Sequence, residues 1–174
     1  MDTFVEQIVQ KKKQPIDFLI MAATAAGALL LSFVIIKYAL WLMPTIVLIL
    51  WGAWWVITGR NREFEYSITN GEMDIDCIVA RRRRKHLASV TCGKVDEYGP
   101  LNAEKLIGRK FDHTLMAAPE MNMQGNFYFT YRSKKYGSTL VVFHPDERVQ
   151  QAFFASLPRL KQIELEKAEK NGGC

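Results

Sequence analysis

From Leu19 to Ile57 the chain reads LIMAATAAGALLLSFVIIKYALWLMPTIVLILWGAWWVI, and Lys37 is its only charged residue. The stretch divides at Lys37 and Tyr38 into uncharged runs of 18 residues (Leu19 to Ile36) and 19 residues (Ala39 to Ile57). As helices, each is about 27 to 29 Å long, close to the roughly 30 Å hydrocarbon core of a bilayer. One helix through both runs would bury Lys37 near its middle, whereas a hairpin places Lys37 and Tyr38 at the far interface. So tight a connection requires a few residues of each run to unwind, and Pro44 relaxes the start of the second helix.

The first run is longer than a signal-peptide core, and a second apolar run follows it directly. The roughly 100 remaining residues are too few and too polar to wrap both helices as the core of a soluble protein. Lys11, Lys12 and Lys13 precede the first run, and Arg60 and Arg62 follow the second. This asymmetry predicts a multi-pass protein of the cell membrane with both termini cytoplasmic. Trp41, Trp51, Trp54 and Trp55 all fall in the second run, where indole rings anchor helix ends in the headgroup layer, and the three lysines are assigned the same anchoring role. Gly27, among Ala22, Ala23, Ala25, Ala26 and Ala28, offers a small-residue surface for close approach by the second helix or by a second copy of the chain. No Asp, Glu, Arg or His lies within either run, which disfavours an ion or proton pathway.

Outward from this block the pattern changes. Phe4, Val5, Ile8 and Val9 stand at helical spacing in the first 15 residues, which predicts either a short interfacial helix or a loosely docked terminus. After Gly59, Phe64, Tyr66 and Ile68 alternate with polar residues; Asn70-Gly71 supplies a turn; Met73, Ile75 and Cys77 resume the alternation. A third strand is expected over Leu87 to Cys92, extending toward Val95, and another over Phe111 to Ala117. Asn126 to Arg132 and Ser138 to His144 form a second hairpin around Lys134 to Gly137, while Leu101 to Gly108 reads as a helical turn or a loop. Pro145 and Asp146 open a helix in which Val149, Ala152, Phe153 and Leu157 recur on one face, before Pro158 stops or kinks it. Arg159 to Lys170 reads as a charged helical tail, with a flexible NGGC end.

The predicted organisation is a cytoplasmic N-terminus over 1–15, a transmembrane helical hairpin over 16–58, a cytoplasmic mainly β domain over 59–158, and a tail over 159–174. Several strands followed by one amphipathic helix imply a small curled sheet or barrel capped by that helix. FEYSITNGEMDIDCI, the basic RRRRKHL and VVFHPDERVQQAF resemble a family of small membrane proteins from Gram-positive anaerobes with two transmembrane helices and a bacterial pleckstrin-homology-like domain. The resemblance covers Phe64 to Leu157 as a domain and Ile16 to Leu157 as an architecture. It implies a binding or scaffolding module and identifies no ligand.

The chain carries 23 basic and 18 acidic residues, a net charge of +5. Arg81, Arg82, Arg83, Arg84 and Lys85 are its sharpest local feature. In a strand-to-strand loop facing the bilayer they would contact anionic lipid. They would equally serve as a solvated loop balancing Glu63, Glu65, Glu72, Asp74 and Asp76, or as a site for a protein partner. Exposed aromatic platforms and a reading helix are both missing, so nucleic acid is not an expected partner. Phe127, Phe129 and Tyr131 predict a core-facing side of one strand, leaving Tyr128 on the side available to a partner.

His86, His113 and His144 are widely separated, and Cys77, Cys92 and Cys174 are odd in number and distant, so neither a metal, a cofactor nor a disulfide framework is expected. Cys77 and Cys92 read as buried and structural. Asp74, Asp76, Asp96 and Glu97 read as surface charge, and Gly93, Gly99 and Gly108 build no phosphate loop. The functional expectation is a non-enzymatic, membrane-tethered interaction or scaffold module for a protein partner or the anionic membrane surface, with no small-molecule substrate. The alternative is an auxiliary subunit of a membrane complex that binds mainly through the hairpin; a homo-oligomer is a further partnership left open.

Overall fold

The computed structural model describes residues 4–102, 106, 108–120, 123–163 and 165. Its order is a helical pair near the N-terminus, a β-rich region and a C-terminal helix, as expected, but the order begins with a strand. β1 (Phe4–Gln10) leads into α1 (Pro15–Tyr38). A 3-10 turn (Leu40–Leu42) joins α1 to α2 (Met43–Thr58). There follow β2 (Arg62–Thr69), β3 (Glu72–Val79), β4 (Arg83–Thr91), β5 (Val95–Pro100), β6 (His113–Met116), β7 (Phe127–Ser133), β8 (Gly137–Phe143) and α3 (Glu147–Ser156).

The two long helices form where the apolar runs lie. Asp17 accepts a hydrogen bond from the Gln14 amide at 2.9 Å, closing the first turn of α1 with a carboxylate at the positive end of its dipole. The unwinding falls wholly on the second run. α1 continues through Lys37 and Tyr38, the chain bends at Ala39, and Trp41 sits in the 3-10 turn instead of the second helix. Pro44 stands in the first turn of α2, where its missing N–H costs no helical bond. α1 and the stretch Leu40–Thr58, which runs from the 3-10 turn through α2, are each long and apolar enough to cross a membrane, and few of their residues are buried. The buried residues of α1 are Ala28 and Ser32. Gly27 has open space where a side chain would extend, so it is not the point of close helix approach.

The interfacial helix expected at the N-terminus is a strand. Val5, Gln7 and Val9 turn inward, while Phe4, Glu6 and Ile8 face outward. Every residue from Phe4 to Gln10 pairs antiparallel with β2, in the register Phe4↔Thr69 to Gln10↔Glu63. Pairing with a distant strand overrides the helical spacing of the apolar residues, because the ladder satisfies the backbone along both strands. The expected division at residue 59 therefore falls inside the β domain, whose first strand precedes the hairpin.

The strands form two four-stranded sheets, β1-β2-β3-β4 and β5-β7-β8-β6. Asn70 and Gly71 adopt left-handed φ values of 48° and 83°, the geometry of a two-residue hairpin turn. The third strand begins earlier than expected, at Arg83, and the chain then turns through Cys92–Lys94 into β5, which the sequence reading did not resolve as a strand of its own. One core joins the inner faces of both sheets to α3: Tyr66, Ile68, Met73 and Ile75 from the first, Phe129, Val141 and Phe143 from the second, and Val149 and Phe153 from the helix. Asp146 caps α3 by accepting the Val149 amide at 2.8 Å. Gln7 ties β1 to the start of this helix, donating to the His144 carbonyl at 3.1 Å and accepting from the Asp146 amide at 2.8 Å.

Tyr128 is a correction. It is buried with Leu140, Val142 and Ala118 in a second, smaller cluster behind β7 and β8, against which Leu101, Leu106, Phe111 and Met116 pack. Both faces of that sheet are covered, so Tyr128 is not presented to a partner. Helical turns resume at 159–163 after Pro158. Half of the predicted Leu101 to Gly108 turn, the end of the charged tail and Cys174 lie outside the described residues.

Candidate functional site: a basic collar at the base of the helical hairpin

The register of the first sheet decides what lies near the helices. Gln10 at the end of β1 pairs with Glu63, and Arg62 at the start of β2 pairs with Val79 at the end of β3. The link into α1, the link out of α2 and the β3–β4 turn therefore meet at one end of the sheet. Backbone bonds hold them together: Lys11 N–H donates to Arg62 C=O at 3.0 Å, and Ala80 N–H donates to Asn61 C=O at 2.8 Å. This gathers Lys11, Lys12, Lys13, Arg60, Arg62, Arg81, Arg82 and Arg83 around the base of the hairpin.

Some of these charges are cancelled within the protein. Arg60 binds Asp17 across the two helix ends, with one bond at 2.9 Å from Nε and a second from its terminal nitrogen. Arg81 pairs with Glu63 at 3.1 Å, and Lys12 with Glu120 at 2.8 Å. Arg84, on β4, reaches Glu65 at 2.5 Å and Asp76 at 3.7 Å. Lys11, Lys13, Arg62, Arg82, Arg83 and Lys85 have no ion-pair partner among the described residues. The balancing of acids on the preceding hairpin thus accounts for Arg81 and Arg84 and leaves the other three cations of the run uncompensated.

The five cations do not form one loop. Arg81 and Arg82 lie in the turn, while Arg83, Arg84 and Lys85 begin β4, where side chains alternate between faces. Ala80 and Arg81 both hold φ at 54°, a left-handed conformation costing roughly 1–2 kcal/mol per non-glycine residue. Arg82 is aimed by neutral groups. Its guanidinium lies 4.4 Å from the Trp54 ring centre and donates to Thr58 Oγ1 at 3.2 Å. Trp54 and Trp55 are at the collar end of α2, Trp51 is a turn further along, and Trp41 is at the opposite end of the hairpin, 80% exposed. A cleft of about 630 Å³ opens between Lys11–Lys13, Arg62 and the turn.

The remaining titratable groups are dispersed. His86 Nδ1 meets Asp76 at 2.8 Å, His144 Nδ1 meets Asn126 Oδ1 at 3.0 Å, and His113 stacks on Tyr136. No group of three or more His, Cys, Asp or Glu is placed to hold a metal among the described residues. Burial pushes the Cys77 thiol up and the Cys92 thiol up to about 11, so both stay protonated, as buried structural thiols do. The two bonds from Arg109 to Glu97, each 2.6 Å, hold that carboxyl below its ordinary range. Sequence reasoning used Arg60 and Arg62 for orientation but missed them as neighbours of Arg81 to Arg83, because that proximity follows from strand register.

A family model described as a bacterial PH-like domain (DUF6106) matches residues 1–161. The chain belongs to this family. The match takes in β1, the helical hairpin and the sheets as one unit, in agreement with the pairing of β1 to β2. No curated protein and no solved structure matches the chain. PH-like domains are generally non-catalytic scaffolds.

Proposed function

We propose that α1 and α2 cross the bacterial cell membrane and hold the PH-like domain, a non-enzymatic interaction module, against the cytoplasmic face. The observation that carries this reading is the β1–β2 ladder at the base of the hairpin. Strands that share a ladder lie on the same side of any bilayer that the intervening helices cross, so the hairpin enters and leaves on the side of the domain. The collar supports the cytoplasmic assignment, since basic residues flank the helix ends there and Lys37 stands alone at the far turn.

Lys11, Lys13, Arg62, Arg82 and Arg83 carry uncompensated charge toward the level of the headgroups. At ~1 kcal/mol for each cation near an anionic leaflet, their combined attraction stays below about 5 kcal/mol and weakens with salt. The membrane surface thereby orients the domain, and tethering raises the local concentration of any partner confined to that surface. A second reading, an auxiliary subunit that binds through the hairpin, draws support from α2, none of whose residues is buried, leaving a surface open to lipid or to another membrane protein.

Labelling of the full chain in intact cells tests the topology. Cysteine placed by Tyr38→Cys is expected to react with a membrane-impermeant maleimide, and cysteine placed by Lys135→Cys only after lysis. Reaction at Lys135→Cys in intact cells, or recovery of the protein in the soluble fraction, refutes the assignment. Partner capture with Ala22 and Ala26 changed to leucine separates the two roles: partners held by the domain survive, and partners held by the hairpin are lost.

A further inference from the structure

A second cleft, of about 340 Å³, lies between the end of α2 and the β3–β4 turn, and its walls are of two kinds. Trp55 and Val56 of α2 face Val79 at the end of β3 and Ala80 of the turn, and Arg82 and Arg83 stand on the same lining. Arg82 is positioned by an aromatic face and a hydroxyl, which orient the guanidinium without cancelling its charge. Arg83 has no ion-pair partner among the described residues. The left-handed turn at Ala80 and its bond to Asn61 hold the two arginines beside the apolar wall.

Such a cleft suits a ligand that is apolar along its length and anionic at one end. A free inorganic anion would satisfy the guanidiniums and leave Trp55, Val56 and Val79 wet. A zwitterionic lipid would cover those side chains but bring its own cation beside two arginines. The geometry points to one anionic phospholipid held as a resident ligand, its phosphodiester between Arg82 and Arg83 and the upper part of one acyl chain against Trp55 and Val56. Guanidinium forks match phosphate oxygens in shape and charge, and a volume of this size falls within the usual range for small-molecule sites. This site rests on the reading that α2 lies in the membrane, and it goes beyond surface attraction by fixing stoichiometry and place.

The test uses full-length protein extracted in mild detergent and native mass spectrometry with added dioleoyl phosphatidylglycerol, dioleoyl phosphatidylcholine or glycerol 3-phosphate. The expected result is one phosphatidylglycerol per chain, retained at least tenfold better than phosphatidylcholine and not displaced by glycerol 3-phosphate. Arg82→Gln/Arg83→Gln is expected to abolish that preference, whereas Arg148→Gln, at an exposed arginine on α3, leaves it intact. All variants are checked for a single chromatographic peak and for recovery from the membrane fraction. Membrane-embedded protein that binds both lipids equally, or retains phosphatidylglycerol without the two arginines, overturns the lipid site while the topology stands. Displacement by glycerol 3-phosphate overturns it in favour of a simple anion site. Wild-type protein in the soluble fraction overturns both readings.

Discussion

Replacing Gln7 with methionine removes two hydrogen bonds that fasten the first strand to the start of the last helix, while keeping the length of the side chain. The amide donates to the His144 carbonyl at 3.1 Å and accepts from the Asp146 N–H at 2.8 Å, both in a half-buried setting. Each such bond contributes about 0.5–1.5 kcal/mol net, so the pair is worth about 2 kcal/mol. Methionine fills similar space, so little of the loss comes from packing. A change of about 2 kcal/mol raises the population of locally opened molecules roughly 30-fold. Hydrogen–deuterium exchange of the full chain in detergent reads this directly at Val149 and Gln150, whose amides bond to Asp146. The control is Gln10→Met, whose exposed side chain makes only a 3.4 Å contact with Glu63 and whose loss is expected to shift exchange by a few tenths of a kcal/mol. If Gln7→Met leaves exchange at α3 within about 0.5 kcal/mol of wild type, β1 is not clamped to the domain as described.

Gly137→Ala is expected to destabilise by ~2–4 kcal/mol, since φ is 70° there and the new methyl would collide with the Asp112 carboxylate that accepts the Ser138 amide. Urea unfolding measures this, and in an Asp112→Ala background the added cost of Gly137→Ala falls to the backbone part alone. Burial raises the Glu65 carboxyl above its ordinary 4.5, so the folded state keeps a proton that the unfolded chain has released. Stability therefore falls as pH rises from that ordinary value through the raised one. Glu65→Gln is expected to flatten this part of the Tm-against-pH curve, and parallel curves for the two proteins would refute it. Cys77 and Cys92 are expected to resist a maleimide at about pH 8 in the folded protein and to react in urea, read by peptide mass spectrometry.

Local signals carried most of the fold. Asn70-Gly71 announces its hairpin because only certain residues accept left-handed backbone cheaply. The helix after Pro145 is legible because its periodic residues Val149, Ala152, Phe153 and Leu157 all reach the core. The elements that escaped depend on distant partners. FVEQIVQ carries polar Gln7 on its inward face, so its alternation is masked until β2 lies beside it. Val95–Pro100 contains Asp, Glu, Gly and Pro, poor strand formers, and becomes a strand by pairing with β7 across a bulge. Tyr128 looked outward because the segments that cover it contribute scattered residues, Leu101, Leu106 and Phe111, without a period of their own. The basic run was visible, but which of its charges are cancelled was not, since Glu63, Glu65 and Asp76 meet Arg81 and Arg84 only through the register of three strands.

The pairing of β1 with β2 also sets an order of events during synthesis. The first strand leaves the ribosome well before its neighbour and has nothing to zip onto until both greasy segments have followed it. With the helices crossing the membrane as proposed, the bilayer would substitute for a tight turn: it would bring the two chain ends back to one spot and remove most of the closure entropy that so long an excursion would otherwise impose. A stalled insertion would leave the exposed side of β2 without its cover, an open edge of the kind that recruits other chains. On the proposed topology, quality control of this small domain would thus be coupled to delivery of its anchor.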